Sequence, residues 1–145
     1  MLRDPSLIPL SHQHQHALAL CVMTDRSLQA DPSPDNVAQL AKRCVDRYEV
    51  ELANHFEVEE KVLFPVSPSR LTEELVAEHR QLEAMIARLR GAPAAENLRE
   101  FTGLLRRHIR REEGELFEQM QREVPRDQLD SLGEEIEKKV IRVCL

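Results

Sequence analysis

Apolar positions recur with helical spacing along four long stretches of this chain. From about residues 5–6 to Gln29 the inward stripe reads Leu7, Leu10, His14, Ala17/Leu18 and Cys21. From about Asp35 to Leu63 it reads Tyr48, Leu52, His55, Glu59 and Val62/Leu63. Between Ser69 and about Arg90 it reads Leu71, Leu75, His79, Leu82, Ile86 and Leu89, and over about 95–123 Leu98, Phe101, Leu105, His108, Glu112 and Leu116. Steps of three and four residues put each set on one side of an α-helix. The stretches "ADPSPDN", Pro65 with "VSPS", Gly91 with "GAPAAEN", and Pro125 separate these helices. Ser69 is suited to cap the third helix and Gly91 to end it. A shorter amphipathic helix is predicted over about 126–143. Short connections between long amphipathic helices predict an all-α, antiparallel up-down-up-down four-helix bundle with an additional short C-terminal helix. Residues 1–145 then form a single domain, with the bundle over about 6–123. Each stripe holds a histidine near its middle, and in this topology the four can meet at one level.

Composition narrows the picture. Aromatic residues make up 3% of the chain and Trp is absent, so the core must be built from Leu, Val, Ile and Ala, and a β-rich domain is disfavoured. A formal net charge of −6 argues against nucleic acid or an anionic membrane as a partner. The one basic cluster, Arg106, Arg107, Arg110 and Arg111, runs into Glu112, Glu113, Glu115 and Glu118 and reads as a solvated, salt-bridged helix face rather than a phosphate site. The run "ALALCVM" is too short to span a membrane and follows three histidines instead of a basic segment, so neither a signal peptide nor an anchor is expected. Cys21, Cys44 and Cys144 are scattered, with no C-x-x-C spacing, which suits reduced thiols in a cytoplasmic protein.

The chemistry lies in a repeated frame. "HFEVEEKVLF" at 55–64 recurs as "HIRREEGELF" at 108–117, both of the form H-x-x-x-E-E-x-x-L-F. His and Glu at i, i+4 share a helix face, about 5–6 Å apart at Cβ. One histidine on an apolar face is ordinarily a hydrogen-bonded core residue, and one H-x-x-x-E is ordinarily a surface pair. Four inward histidines with two inward glutamates in matched registers are a different case. A glutamate buried without a partner costs several kcal/mol, and two metal ions sharing Glu59 and Glu112 would offset that cost. A buried hydrogen-bonded network is the competing reading. Imidazole and carboxylate without thiolate suit iron, zinc or manganese, and bridging carboxylates favour paired iron. The Glu-x-x-His spacing of ferritin-like bundles and the HExxH motif are both absent.

The segments "LSHQHQHAL", "HFEVEEKVLFP", "AEHRQLE" and "HIRREEGELF" resemble the hemerythrin-like (HHE cation-binding) family over about residues 10–117. That resemblance implies a four-helix bundle around a non-haem, oxo- or hydroxo-bridged pair of iron ions. It assigns His55 and His108 as terminal ligands, Glu59 and Glu112 as bridging carboxylates, and His79 as the ligand of the third helix. In the first helix His12, His14 and His16 all compete. The apolar stripe and the family's "LS-x-x-H" pattern both select His14, with His16 second and His12 solvated.

The family's oxygen carriers have two histidines four apart in the third helix, whereas Leu75 and Glu83 flank His79 here. Four histidines and two carboxylates leave an open position on each metal, which Glu83, Glu60, Glu113 or His16 could fill. Tyr48, on the same face as His55, is a core residue that could also hydrogen-bond near the centre. The expected function is binding or sensing of a small oxidant or diatomic molecule (dioxygen, nitric oxide or peroxide) rather than reversible oxygen carriage. A di-iron oxidoreductase or iron–sulfur-centre repair protein, and a structural bundle with adventitious metal, are the other readings.

Overall fold

A computed structural model describes residues 2–142; Val143, the last residue of the predicted fifth helix, and Cys144 lie outside them. The described residues are helical, with no strand. Helix α1 is Ile8–Ala30, α2 covers residues 34–63, α3 is Arg70–Gly91, α4 covers residues 95–123 and α5 is Arg126–Lys139. Helix α1 starts later than residues 5–6, because Pro5 to Leu7 form a turn before the first helical hydrogen bonds are made. Helix α5 stops at Lys139, and Val140 is already extended.

The start of α3 follows the sequence signal. Ser69 Oγ accepts from the Thr72 N–H at 3.2 Å, and Thr72 Oγ1 accepts from the Ser69 N–H at 2.9 Å, a reciprocal cap. Its end does not follow the expected glycine mechanism. Gly91 is the last helical residue and lacks the left-handed conformation of a glycine cap. Pro93 ends the helix instead, holding Ala92 at φ −145° and ψ 77°, outside the helical region.

The apolar core is two clusters separated by a polar layer. One cluster contains Ala17, Cys21, Leu40, Cys44, Leu52, Leu82, Ile86, Phe101 and Leu105. The other contains Leu7, Leu10, Leu63, Leu75, Leu116, Phe117 and Met120, with Leu129, Leu132 and Ile136 of α5 closing it. Between them lie His14, His55, Glu59, His79, His108 and Glu112, all buried. Helices α1 and α3 run from the second cluster to the first, and α2 and α4 run back, which is the up-down-up-down order. At the second cluster α5 approaches so closely that a Cβ on Gly133 would lie 2.8 Å from Ser6 Cα. Only glycine allows that approach without displacing backbone.

Helices α2 and α4 depart from simple α-helix in one informative way. Each carries a π-turn starting at a buried glutamate, Glu59–Leu63 in α2 and Glu112–Leu116 in α4, and α2 has another at Tyr48–Leu52. In these turns the N–H of Phe64 donates to the carbonyl of Glu59, and that of Phe117 to Glu112. The wider turn advances each residue by less than the usual 100°, so both Leu and Phe of the repeated frame point inward. Periodicity at 3.6 residues does not reveal such a turn.

Candidate metal centre

The six polar residues of the middle layer form two overlapping groups. His14, His55, Glu59 and Glu112 make one, and His79, His108 with the same two glutamates make the other; the ligand atoms within each group lie within 4.8 Å of one another. Glu59 spans both groups, with Oε1 at 3.1 Å from His79 Nε2 and Oε2 at 3.3 Å from His55 Nε2. Glu112 Oε1 lies 2.9 Å from His14 Nε2 and 3.2 Å from His108 Nε2. The i, i+4 spacing within α2 and α4 brings each histidine beside its glutamate, and the antiparallel packing adds His14 and His79 from α1 and α3.

Every histidine is aimed by its other ring nitrogen. His14 Nδ1 lies 2.6 Å from Glu113 Oε2, His55 Nδ1 2.8 Å from Gln13 Oε1, His79 Nδ1 2.7 Å from Glu60 Oε2, and His108 Nδ1 2.8 Å from Glu78 Oε1. Each partner is an acceptor, so each Nδ1 is the donor, and a ring in its neutral form turns its Nε2 lone pair inward. The rings are also held by stacking: Phe56 lies 4.0 Å and Phe64 5.8 Å from His79, and Phe117 5.4 Å from His14, between centroids. The repeated frame is thereby accounted for position by position. Its histidine and first glutamate face the layer, while its second glutamate and phenylalanine hold the histidine of the neighbouring helix.

This arrangement fits a cation. Among the described residues, Glu59 Oε2, Glu112 Oε2 and His108 Nε2 are buried side-chain atoms with no hydrogen-bond partner. Two lone pairs, those of His14 and His55 Nε2, face each other 3.0 Å apart, a repulsive contact unless a proton or a metal ion intervenes. A metal ion would accept those lone pairs and the orphaned carboxylate oxygens together. Among the described residues no thiol reaches the layer: Cys21 and Cys44 lie in the first apolar cluster, where burial pushes their thiols up to about 12 and about 11.

Without metal, protons take up part of the charge. Burial and the neighbouring Glu112 carboxylate push Glu59 well above the usual carboxyl range. Glu112 is held well below it, since His108, Glu59 and His14 outweigh the effect of burial. Burial disfavours the His108 imidazolium, but Glu112 and Glu78 overcome it and raise the group from 6.5 to about 9. His14 is raised in the same way, its hydrogen bonds to Glu112 and Glu113 outweighing burial.

A group that binds its proton more tightly folded than unfolded adds stability below its unfolded value, and that stability is lost as pH climbs through the folded value. For His108 the window runs from 6.5 to about 9. His108 alone should therefore cost the metal-free protein about 3 kcal/mol across it, at 1.36 kcal/mol per pH unit, and His14 and Glu59, also shifted upward, act in the same direction. His55, pushed down to about 4 by burial and by His14, titrates below this window. Urea unfolding of metal-free and metal-loaded protein at the two ends checks the point, because bound metal replaces the proton and should remove the decline. A metal-free protein equally stable at both ends would refute it.

The remaining sequence candidates lie elsewhere. His12 is exposed. His16 Nδ1 lies 2.9 Å from Oε2 of Glu51, a buried carboxylate that periodicity did not single out. Glu83 pairs with Arg80 at 2.7 Å, while Glu60 and Glu113 are taken up as partners of His79 and His14. Tyr48 packs on Phe56, centroids 6.2 Å apart, beside a groove that includes Glu60, Arg80 and Glu83. The run of charges in α4 is not one solvated face. Glu112 is buried, Glu113 turns to His14, Arg106 binds Asp25 of α1 at 2.6 Å, and Arg111 binds Glu74 and Glu78 of α3 at 2.6 and 3.1 Å. No helix among the described residues is long and apolar enough to cross a membrane.

Sequence reasoning did not identify Gln13 or Glu78 as partners of histidines. The signal was adjacency: each precedes a layer histidine, and neighbours on a helix differ by about 100°, which aims the outer residue at the next helix. A family model described as the hemerythrin HHE cation-binding domain matches residues 9–120. No curated protein and no solved structure matches the chain significantly.

Proposed function

The chain belongs to the hemerythrin HHE cation-binding family, and on that ground we propose that it is a non-haem di-iron protein that binds or senses a small oxidant or diatomic molecule. The observation that carries the reading is the pair of His/Glu groups sharing Glu59 and Glu112. In this reading His14 and His55 would hold one ion and His79 and His108 the other, with Glu59 and Glu112 shared by both. The bound pair would supply two adjacent redox-active Lewis acids. The chain's own part is to fix the imidazole lone pairs inward through the Nδ1 partners and to surround the layer with two apolar clusters that exclude bulk water.

Each ion would receive two imidazoles and two carboxylate oxygens from the protein. The side chains that could close further positions are engaged elsewhere: Glu60 and Glu113 with histidines, Glu83 with Arg80 and His16 with Glu51. This supports a centre with room for a small exogenous ligand on each ion. Iron loading followed by elemental analysis and spectroscopy tests the reading. About two irons per chain are expected, with near-ultraviolet absorption of a bridged ferric pair that azide or nitric oxide perturbs equally in the wild type and in Glu83→Ala. One zinc per chain without such bands would overturn it. A wild type that ignores both ligands while Glu83→Ala responds would show the open position to be closed by Glu83. Sustained peroxide or nitric oxide consumption would place the protein among enzymes instead.

A further inference from the structure

The outer hydrogen bonds close into a ring. Gln13 of α1 serves His55 of α2, Glu60 of α2 serves His79 of α3, Glu78 of α3 serves His108 of α4, and Glu113 of α4 serves His14 of α1. Exchanging α1 with α3 and α2 with α4 maps His14 onto His79, His55 onto His108, Glu59 onto Glu112 and Glu60 onto Glu113. One pair breaks this twofold pattern: Gln13 occupies the place that Glu78 occupies on the other side.

The amide is fixed in orientation. Gln13 Nε2 donates to Asn54 Oδ1 and to the Ile141 carbonyl, both at 3.2 Å, which leaves Oε1 to accept from His55. Asn54 is held in turn by the Ile141 N–H at 2.8 Å and by the Lys139 carbonyl at 2.9 Å, so the end of α5 secures the amide. The carboxylates share a different feature. Glu113 is bonded to Arg3, Glu60 to Arg80 and Glu78 to Arg111. The arginine is common to all three, and the neutral amide at His55 is the difference.

A carboxylate that accepts an imidazole Nδ1 proton draws it outward and makes Nε2 a better donor to a cation, and a neutral amide does so less. His79 and His108 both have carboxylate partners, whereas of His14 and His55 only His14 has one. We propose, resting on the two-metal reading above, that the subsites are unequal by construction: the His79–His108 subsite takes the first divalent transition-metal ion, the His14–His55 subsite takes the second, and Gln13 is the positioning residue that sets this order. Changes to such outer partners alter metal affinity by about 10–100-fold, and the first ion should favour its subsite by a factor in that range.

The test titrates the full metal-free chain with cobalt(II) and reads the hyperfine-shifted imidazole N–H proton resonances at one equivalent. The wild-type signals should persist in His14→Ala and His55→Ala and be replaced in His79→Ala and His108→Ala. Gln13→Glu should spread the first ion about evenly over both subsites. If that variant fails to fold, Glu78→Gln should give the same levelling by removing the carboxylate advantage from the other side. A first ion already evenly shared in the wild type, or seated on His14 and His55, would overturn the proposal, as would a distribution unmoved by both variants. Two ions bound in the wrong order defeat this inference alone. Fewer than two at saturation defeats the two-metal reading and this inference with it.

Discussion

Replacing Glu59 or Glu112 with alanine should abolish uptake of both metal ions, while the two variants should differ in stability once metal is removed. Each carboxylate reaches both histidine groups, so in the proposed two-metal reading each replacement would strip a shared ligand from two ions at once. The loss should exceed the roughly 100-fold effect of changing an outer partner alone. Without metal the two positions carry different charge. Glu112 is the carboxylate held ionised against His108 and His14, and its removal leaves buried imidazolium without its counter-ion, at about 3–5 kcal/mol. Glu59 is pushed toward its neutral form by burial and Glu112, and its removal leaves chiefly a small cavity. Glu57→Ala, which removes an exposed partner of Lys61, should change stability by less than about 0.5 kcal/mol and leave metal content intact. Elemental analysis and urea unfolding of the three variants provide the check. If Glu59→Ala is as unstable as Glu112→Ala without metal, the assignment of charge between the pair is wrong; if both variants still bind two ions, neither glutamate is a ligand.

The second large effect concerns the first helix. His14→Ala should lose at least one ion per chain, because Nε2 of this residue lies 2.9 Å from Glu112 Oε1 and 3.0 Å from His55 Nε2. His16→Ala should keep both ions but lose about 1–3 kcal/mol, since it strands the nearly fully buried Glu51 without its hydrogen-bond partner. His12→Ala should do neither. Metal content and unfolding midpoints measured together separate these outcomes. Loss of metal from His16→Ala with retention by His14→Ala would mean that α1 presents a different face to the bundle.

How much of this was legible beforehand depends on whether the information is local. The four stripes, the punctuation between them and the H-x-x-x-E pairs are set by residues within a turn or two of one another. Helical periodicity therefore yields the bundle and places Glu59 beside His55 and Glu112 beside His108. The π-turns at Glu59 and Glu112 escaped because they alter the period over only a few residues, although the paired Leu-Phe ending of each frame is their trace.

Cross-helix relations had no such local record. Whether Glu113 is solvated or serves His14, and whether Glu78 serves His108, depends on how far each helix is rotated about its axis and which helix stands beside it. The chain by itself determined the helices, their inward faces and five of the six side chains of the layer, His55, Glu59, His79, His108 and Glu112, since those follow from spacing along one helix. The tertiary structure decided the ring of outer partners, the separation of His14 from His16, and the isolation of Gln13 as the one neutral member, because each of these is a contact between residues on different helices.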